Sequence, residues 1–102
     1  MVSWTTRLYV GNKMKKKKDS VISSINNCEV TFGVFCIAFA SHQDNLFDII
    51  DANELLFPFY KKSEVQIVGL ARGREEAVDL VQKMLMEVYY KTGNFDVRAY
   101  FT

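Results

Sequence analysis

The sequence predicts one α/β (or α+β) domain spanning residues 1–102. Its expected form is a single-layer mixed sheet of about four to five strands with about three helices, in the order β-α-β-β-α-β-α-β. Three observations carry this. Ala77, Val78, Val81, Met84, Leu85 and Val88 recur with a period near 3.6 and mark a long amphipathic helix. Two runs, Val30 to Ala40 and Val65 to Ala71, are apolar at both odd and even positions, the pattern of strands covered on both faces. The chain has 102 residues, of which 49% are hydrophobic and one is proline, so it suits one domain with its own core.

Trp4 to Val10 alternates, with Trp4, Thr6, Leu8 and Val10 facing one way and Thr5, Arg7 and Tyr9 the other. That is a strand with one wetter face, ended by Gly11 and Asn12. Lys13 to Asn26 follows as a helix with a short apolar face of Val21, Ile22 and Ile25, which Met14 and Lys18 extend if it starts early. Asp19 or Ser20 can cap it. Adjacent lysines oppose the helix dipole and repel each other, so a frayed lead-in is expected before an ordered helix.

In the run Val30 to Ala40, Val30, Phe32, Val34, Cys36 and Ala38 lie on one side and Phe35, Ile37 and Phe39 on the other. Ser41 to Asn45 reads as a turn. The segment LFDIID, Leu46 to Asp51, fits a strand that pairs back as a hairpin. Leu46, Ile49, Ile50 and Asn53 fit equally a helix from Asp44. The β-branched and aromatic content favours the strand. Asp51 and Glu54 resemble a capping box for a short helix through Phe57, which Pro58 should end or kink.

The long helix carries Glu75 and Glu76 in its first turn, Lys91 in its last, an i,i+4 pair of Glu87 and Lys91, and Gly93 just past its end. Phe95 to Phe101 alternates and is expected as a strand near a sheet edge, completing a β-α-β unit with Val65 to Ala71.

Charge is unevenly placed. Lys13, Lys15, Lys16, Lys17 and Lys18 are five of the thirteen basic residues. The other eight face twelve acidic residues, so the remainder is net acidic by four although the whole chain is +1. The start of the chain lacks the features of a signal peptide, and the longest apolar run is too short to span a bilayer. Two cysteines make no disulfide framework, and Cys36 suits a buried site. A cytoplasmic protein is expected.

Two segments suggest ligand chemistry. Gly69, Arg72, Gly73 and Arg74 lie where a buried strand turns into a helix. Amides and the positive helix end favour an anion there, and the arginines can grip phosphate or carboxylate. The pattern is neither a P-loop nor a dinucleotide fingerprint, and its glycines also suit a plain βα turn. Lys13, Lys15, Lys16, Lys17 and Lys18 can neutralise phosphates on nucleic acid or anionic lipid, though no aromatic residues for base stacking are interleaved with them, or they simply form a solvated loop. Phe57, Phe59, Tyr60, Lys61 and Lys62, with Tyr89 and Tyr90, suggest a pocket or a subunit contact. Catalytic and metal chemistry finds little support. His42 is the only histidine and lies in a turn beside Asp44. Cys28 has Glu29 beside it, which disfavours a thiolate. Asp48, Asp51 and Glu54 are the elements of an acidic patch at most.

The stretches VGLARGREEA and VYYKTGNFDVRAYF, Val68 to Ala77 and Val88 to Phe101, resemble small bacterial proteins of unassigned function. The resemblance implies no activity, cofactor or site residues. The first expectation is a small non-catalytic binding or accessory protein, with no cofactor and with a homodimer as one option. Alternatives are a protein or enzyme that binds an anionic small molecule, phosphate or nucleotide, at the Gly69–Arg74 turn, and a nucleic-acid binder acting through the lysines.

Overall fold

The computed structural model describes residues 2–41 and 45–101. Its elements are β1 (Val2–Val10), a 3₁₀ turn (Lys15–Lys17), α1 (Lys18–Asn26), β2 (Val34–Phe39), β3 (Phe47–Asp51), a 3₁₀ turn (Ala52–Leu56), α2 (Pro58–Lys62), β4 (Val65–Arg72), α3 (Arg74–Thr92) and α4 (Val97–Phe101). The four strands form one mixed sheet in the order β1-β4-β2-β3. Strands β1 and β4 are parallel, and β2 is antiparallel to both of its neighbours.

The two doubly apolar runs supply the two central strands, because only a strand covered on both faces can bury both parities. Val34, Cys36 and Ala38 of β2 pack on one side with Met14, Val21, Ile25 and Leu55. Ile37 packs on the other side with Ala77, Leu80, Met84 and Val88 of α3. Strand β4 changes parity midway. Ile37 pairs with Gly69 but Ala38 pairs with Ile67, so a bulge at Val68–Gly69 turns both residues towards α3. Gly69 has little space for a side chain there, since a Cβ would stand 3.2 Å from Ile37 Cδ1 and 3.5 Å from Leu80 Cδ2.

The α3 stripe is centred on Ala77, Leu80, Met84 and Val88, with Val81 and Leu85 half-buried on one flank and Val78 exposed. Its ends follow expectation: Glu75 and Glu76 open the helix, and Gly93 closes it in the left-handed region. Glu87 pairs with Lys91 at 3.2 Å and also accepts the Tyr9 hydroxyl of β1. The Tyr9 bond, then Lys91, holds its carboxyl below the usual range. LFDIID contributes β3, hairpin-paired with β2, and Asp51 with Glu54 forms the expected capping box.

Three expectations are corrected. Phe95 to Phe101 is not a strand, because Val97–Phe101 is helix α4, and no final β-α-β unit exists among the described residues. Alternation at every second residue also places Val97 and Phe101 four apart on one helix face, and both are buried. Asp96 decides between the two, since its carboxylate accepts the Ala99 N–H at 3.2 Å. The short helix capped by Asp51 does stop before Pro58, as expected, and Pro58 then opens α2 as its first residue, where a missing N–H costs nothing. Strand β2 starts at Val34 and not Val30, after Gly33 at φ +67°. Helix α1 begins at Lys18 behind Lys17, without the side-chain cap expected from Asp19 or Ser20.

Helix α1 ends unusually. Cys28 takes φ +58°, donating its N–H to Ile25 O at 3.1 Å while Glu29 N–H reaches Ser24 O at 2.9 Å. This is the doubly bonded helix end that glycine normally closes. A β-carbon in that region costs about 1–2 kcal/mol. Cys28→Gly is therefore expected to raise stability by about 1 kcal/mol, after the added chain entropy of glycine is subtracted. A higher thermal midpoint checks this, and a lower one contradicts it. Cys36, by contrast, is fully enclosed, and burial, helped by the nearby Asp51 charge, pushes its thiol up to about 12.

Candidate functional site

Strands β1 and β4 run side by side and end at the same edge of the sheet. From there the chain diverges. β1 leads through the lysine turn to α1 on one face, and β4 leads to α3 on the other. Carboxyl ends of parallel strands whose connections part in this way form the crevice where α/β sheets hold ligands.

In this chain the crevice is filled by Glu76. Its Oε1 accepts the Arg72 N–H at 2.8 Å and its Oε2 accepts the Lys13 N–H at 3.0 Å. Gly11 makes room for it, since a Cβ there would collide with the Glu76 carboxylate. One side chain thus ties together two backbone segments that are distant in the sequence. The lysine turn and the end of β4 are thereby held next to each other.

The lysines stand on a fixed turn and not on a frayed lead-in. Gly11 O accepts the Met14 N–H at 2.9 Å, and Met14 O accepts the Lys17 N–H at 3.0 Å. Met14 is wholly buried against the α1-side core and anchors the turn, which offsets the lysine repulsion. Lys13, Lys15, Lys16 and Lys17 are exposed and Lys18 is half-buried. Arg72 at the end of β4 and Arg74 at the start of α3 are both exposed. Arg72 pairs across the ladder with Val34, so strand alternation puts it on the α1 face with the lysines. Among the described residues, none of these seven cations has a carboxylate within ion-pair distance.

The expected anion turn is not assembled as the sequence suggested. Gly69 lies inside β4 at the bulge, away from the strand end. Gly73, at φ +80°, donates its N–H to Gly33 O at 2.7 Å, and the Arg72 amide is taken by Glu76. What the turn contributes is the two arginine side chains.

The Gly73–Gly33 bond brings a further segment to the same edge, one that the apolar pattern places inside a strand. Residues 29–33 form a loop pinned at two points. Asn53 accepts the Thr31 N–H at 2.8 Å and donates to Thr31 O at 2.9 Å, and Gly33 is held by Gly73. Thr31 is buried, while Val30 and Phe32 on either side are 63% and 83% exposed. The legible signal is Gly33, a residue that interrupts an otherwise β-branched and aromatic run.

The remaining candidates do not converge. Phe57 to Lys62 lie around α2, whose Tyr60 packs on the α1-side core, whereas Tyr89 and Tyr90 are on α3 across the sheet. A cavity of about 320 Å³ beside α2 is lined by Asp48, Tyr60, Glu64 and Arg98 among others. Two of its charged groups are engaged by backbone: Arg98 donates to Ala40 O at 2.8 Å, and Asp48 accepts the Ser41 N–H at 3.1 Å. Burial, then the charges of Glu54 and Asp48, raises the Tyr60 hydroxyl above its usual pKa. Asp51 and Glu54 are used in their capping box. His42 and Asp44 lie outside the described residues. Among the described residues, no group of three or more His, Cys, Asp or Glu side chains is placed to hold a metal ion, and no helix is long and apolar enough to cross a membrane.

No family model, curated protein or solved structure matches the chain.

Proposed function

We propose that this chain is a small non-catalytic binding protein whose basic edge engages a phosphate-bearing polyanion, with nucleic acid as the partner class. The observation that carries this reading is the double grip of Glu76 on the Lys13 and Arg72 amides. It supports reading Lys13, Lys15, Lys16, Lys17, Lys18, Arg72 and Arg74 together as the binding surface, since the rest of the chain is net acidic. A polyanion gains from such a cluster chiefly by releasing its condensed counterions, so affinity depends steeply on salt. The acidic remainder opposes non-specific adhesion elsewhere on the molecule and directs an anionic partner to this edge.

The test is a salt titration of nucleic-acid binding by fluorescence anisotropy. Replacing the five lysines by glutamine is expected to lower the slope of log affinity against log salt by about 0.7–0.9 for each phosphate no longer neutralised. Equal affinity and equal slope for the neutralised protein would contradict the reading.

A further inference from the structure

We infer that the basic edge is built for single-stranded nucleic acid, with Phe32 as a stacking platform for one base. This rests on the polyanion reading of the same edge and goes beyond it by naming the form of the partner.

The strand order places the parts in a line. The lysine turn follows β1, Arg72 ends β4, and Phe32 lies just before β2 begins. Neighbouring strands are about 4.8 Å apart, so this line is about 10 Å long. A short stretch of single strand covers that span with phosphates on the cations and a base on the ring.

Phe32 is an unusual side chain to leave in water. It is 83% exposed, on a loop whose backbone is held on both sides, by Asn53 at Thr31 and by Gly73 at Gly33. A ring presented on a fixed backbone has little ordering entropy left to lose on binding. Stacking suits any base, because every base has a π-face. A duplex keeps its bases stacked inside and offers a lone protruding ring nothing comparable.

A flat anionic membrane is the less suitable occupant. Glu29 adjoins Val30, and Asp51 and Glu54 flank Asn53, which holds the loop. A broad anionic surface would press on these carboxylates, whereas a narrow strand can pass beside them.

The experiment compares oligothymidylate, a duplex of equal length and vesicles containing phosphatidylserine, using the full chain with Phe32 and with Phe32→Ala and Phe32→Tyr. Because the ring is exposed, its removal should leave the thermal midpoint unchanged. Phe32→Ala is expected to weaken oligothymidylate binding about tenfold, to leave the salt slope and duplex binding unchanged, and to be rescued by Phe32→Tyr. Oligothymidylate binding by Phe32→Ala within twofold of the parent overturns the inference. So does a loss confined to vesicle binding, or to a self-associated form seen in sedimentation. Salt-sensitive binding with Phe32 indifferent removes this inference alone. Absence of salt-sensitive binding to either nucleic acid removes the polyanion reading with it.

Discussion

Met84→Ala is expected to destabilise the protein by about 3 kcal/mol. Met84 is wholly buried at the centre of the α3 stripe, in one cluster with Ile37, Val68 and Ala71 of the central strands. Truncation removes apolar packing from both the helix and the sheet and leaves a cavity that a rigid sheet cannot close. Met84→Leu nearly conserves volume and should cost less than about 1.5 kcal/mol. Urea unfolding at constant m-value reads both changes. If Met84→Ala costs under about 1 kcal/mol, α3 is not seated on β2 and β4 in the way described.

The second large effect is expected at Glu76. Glu76→Ala removes the acceptor of both the Arg72 and the Lys13 amides and opens space above Gly11. Both amides are near solvent, so water replaces part of what is removed, and the expected cost is about 2 kcal/mol. Glu76→Gln should fall between the two, because an amide oxygen can accept one N–H while the amide nitrogen is itself a donor. Amide hydrogen exchange adds a readout that a general loss of stability does not mimic. Exchange should accelerate at Lys13 and Arg72 under conditions in which amides of the β2–β4 ladder stay protected. Unchanged exchange at these two amides would contradict the crevice as described.

Much of the fold is legible because two signals have a single physical meaning. Runs apolar on both parities need cover on both faces, and Val34–Phe39 and Val65–Arg72 are indeed central. A long 3.6-residue stripe with acidic residues at one end and a glycine stop at the other leaves little choice but helix α3. Phe95 to Phe101 misleads because, over so short a segment, spacing by two cannot be told from spacing by four. The deciding hydrogen bond comes from Asp96, outside the apolar pattern. The bulge at Val68–Gly69 is hidden for a related reason: when every residue is apolar, a change of parity leaves no mark.

The candidate site is legible only in pieces. Both basic segments stand out in the sequence, but nothing there says that they meet. Their meeting depends on β1 and β4 being parallel neighbours and on Glu76, which by sequence is only a first-turn carboxylate beside the arginines. Phe32 reads as a strand residue, since its exposure follows from the Thr31–Asn53 and Gly33–Gly73 bonds, which are long-range.

The most direct measurement of the central claim is the salt slope of nucleic-acid binding for a protein with Arg72→Gln and Arg74→Gln and all five lysines intact. If the two segments form one polyanion surface, the slope falls by about 0.7–0.9 for each arginine that touches phosphate. A slope identical to that of the unaltered protein would mean that the lysine turn acts alone, and the joined surface would be refuted.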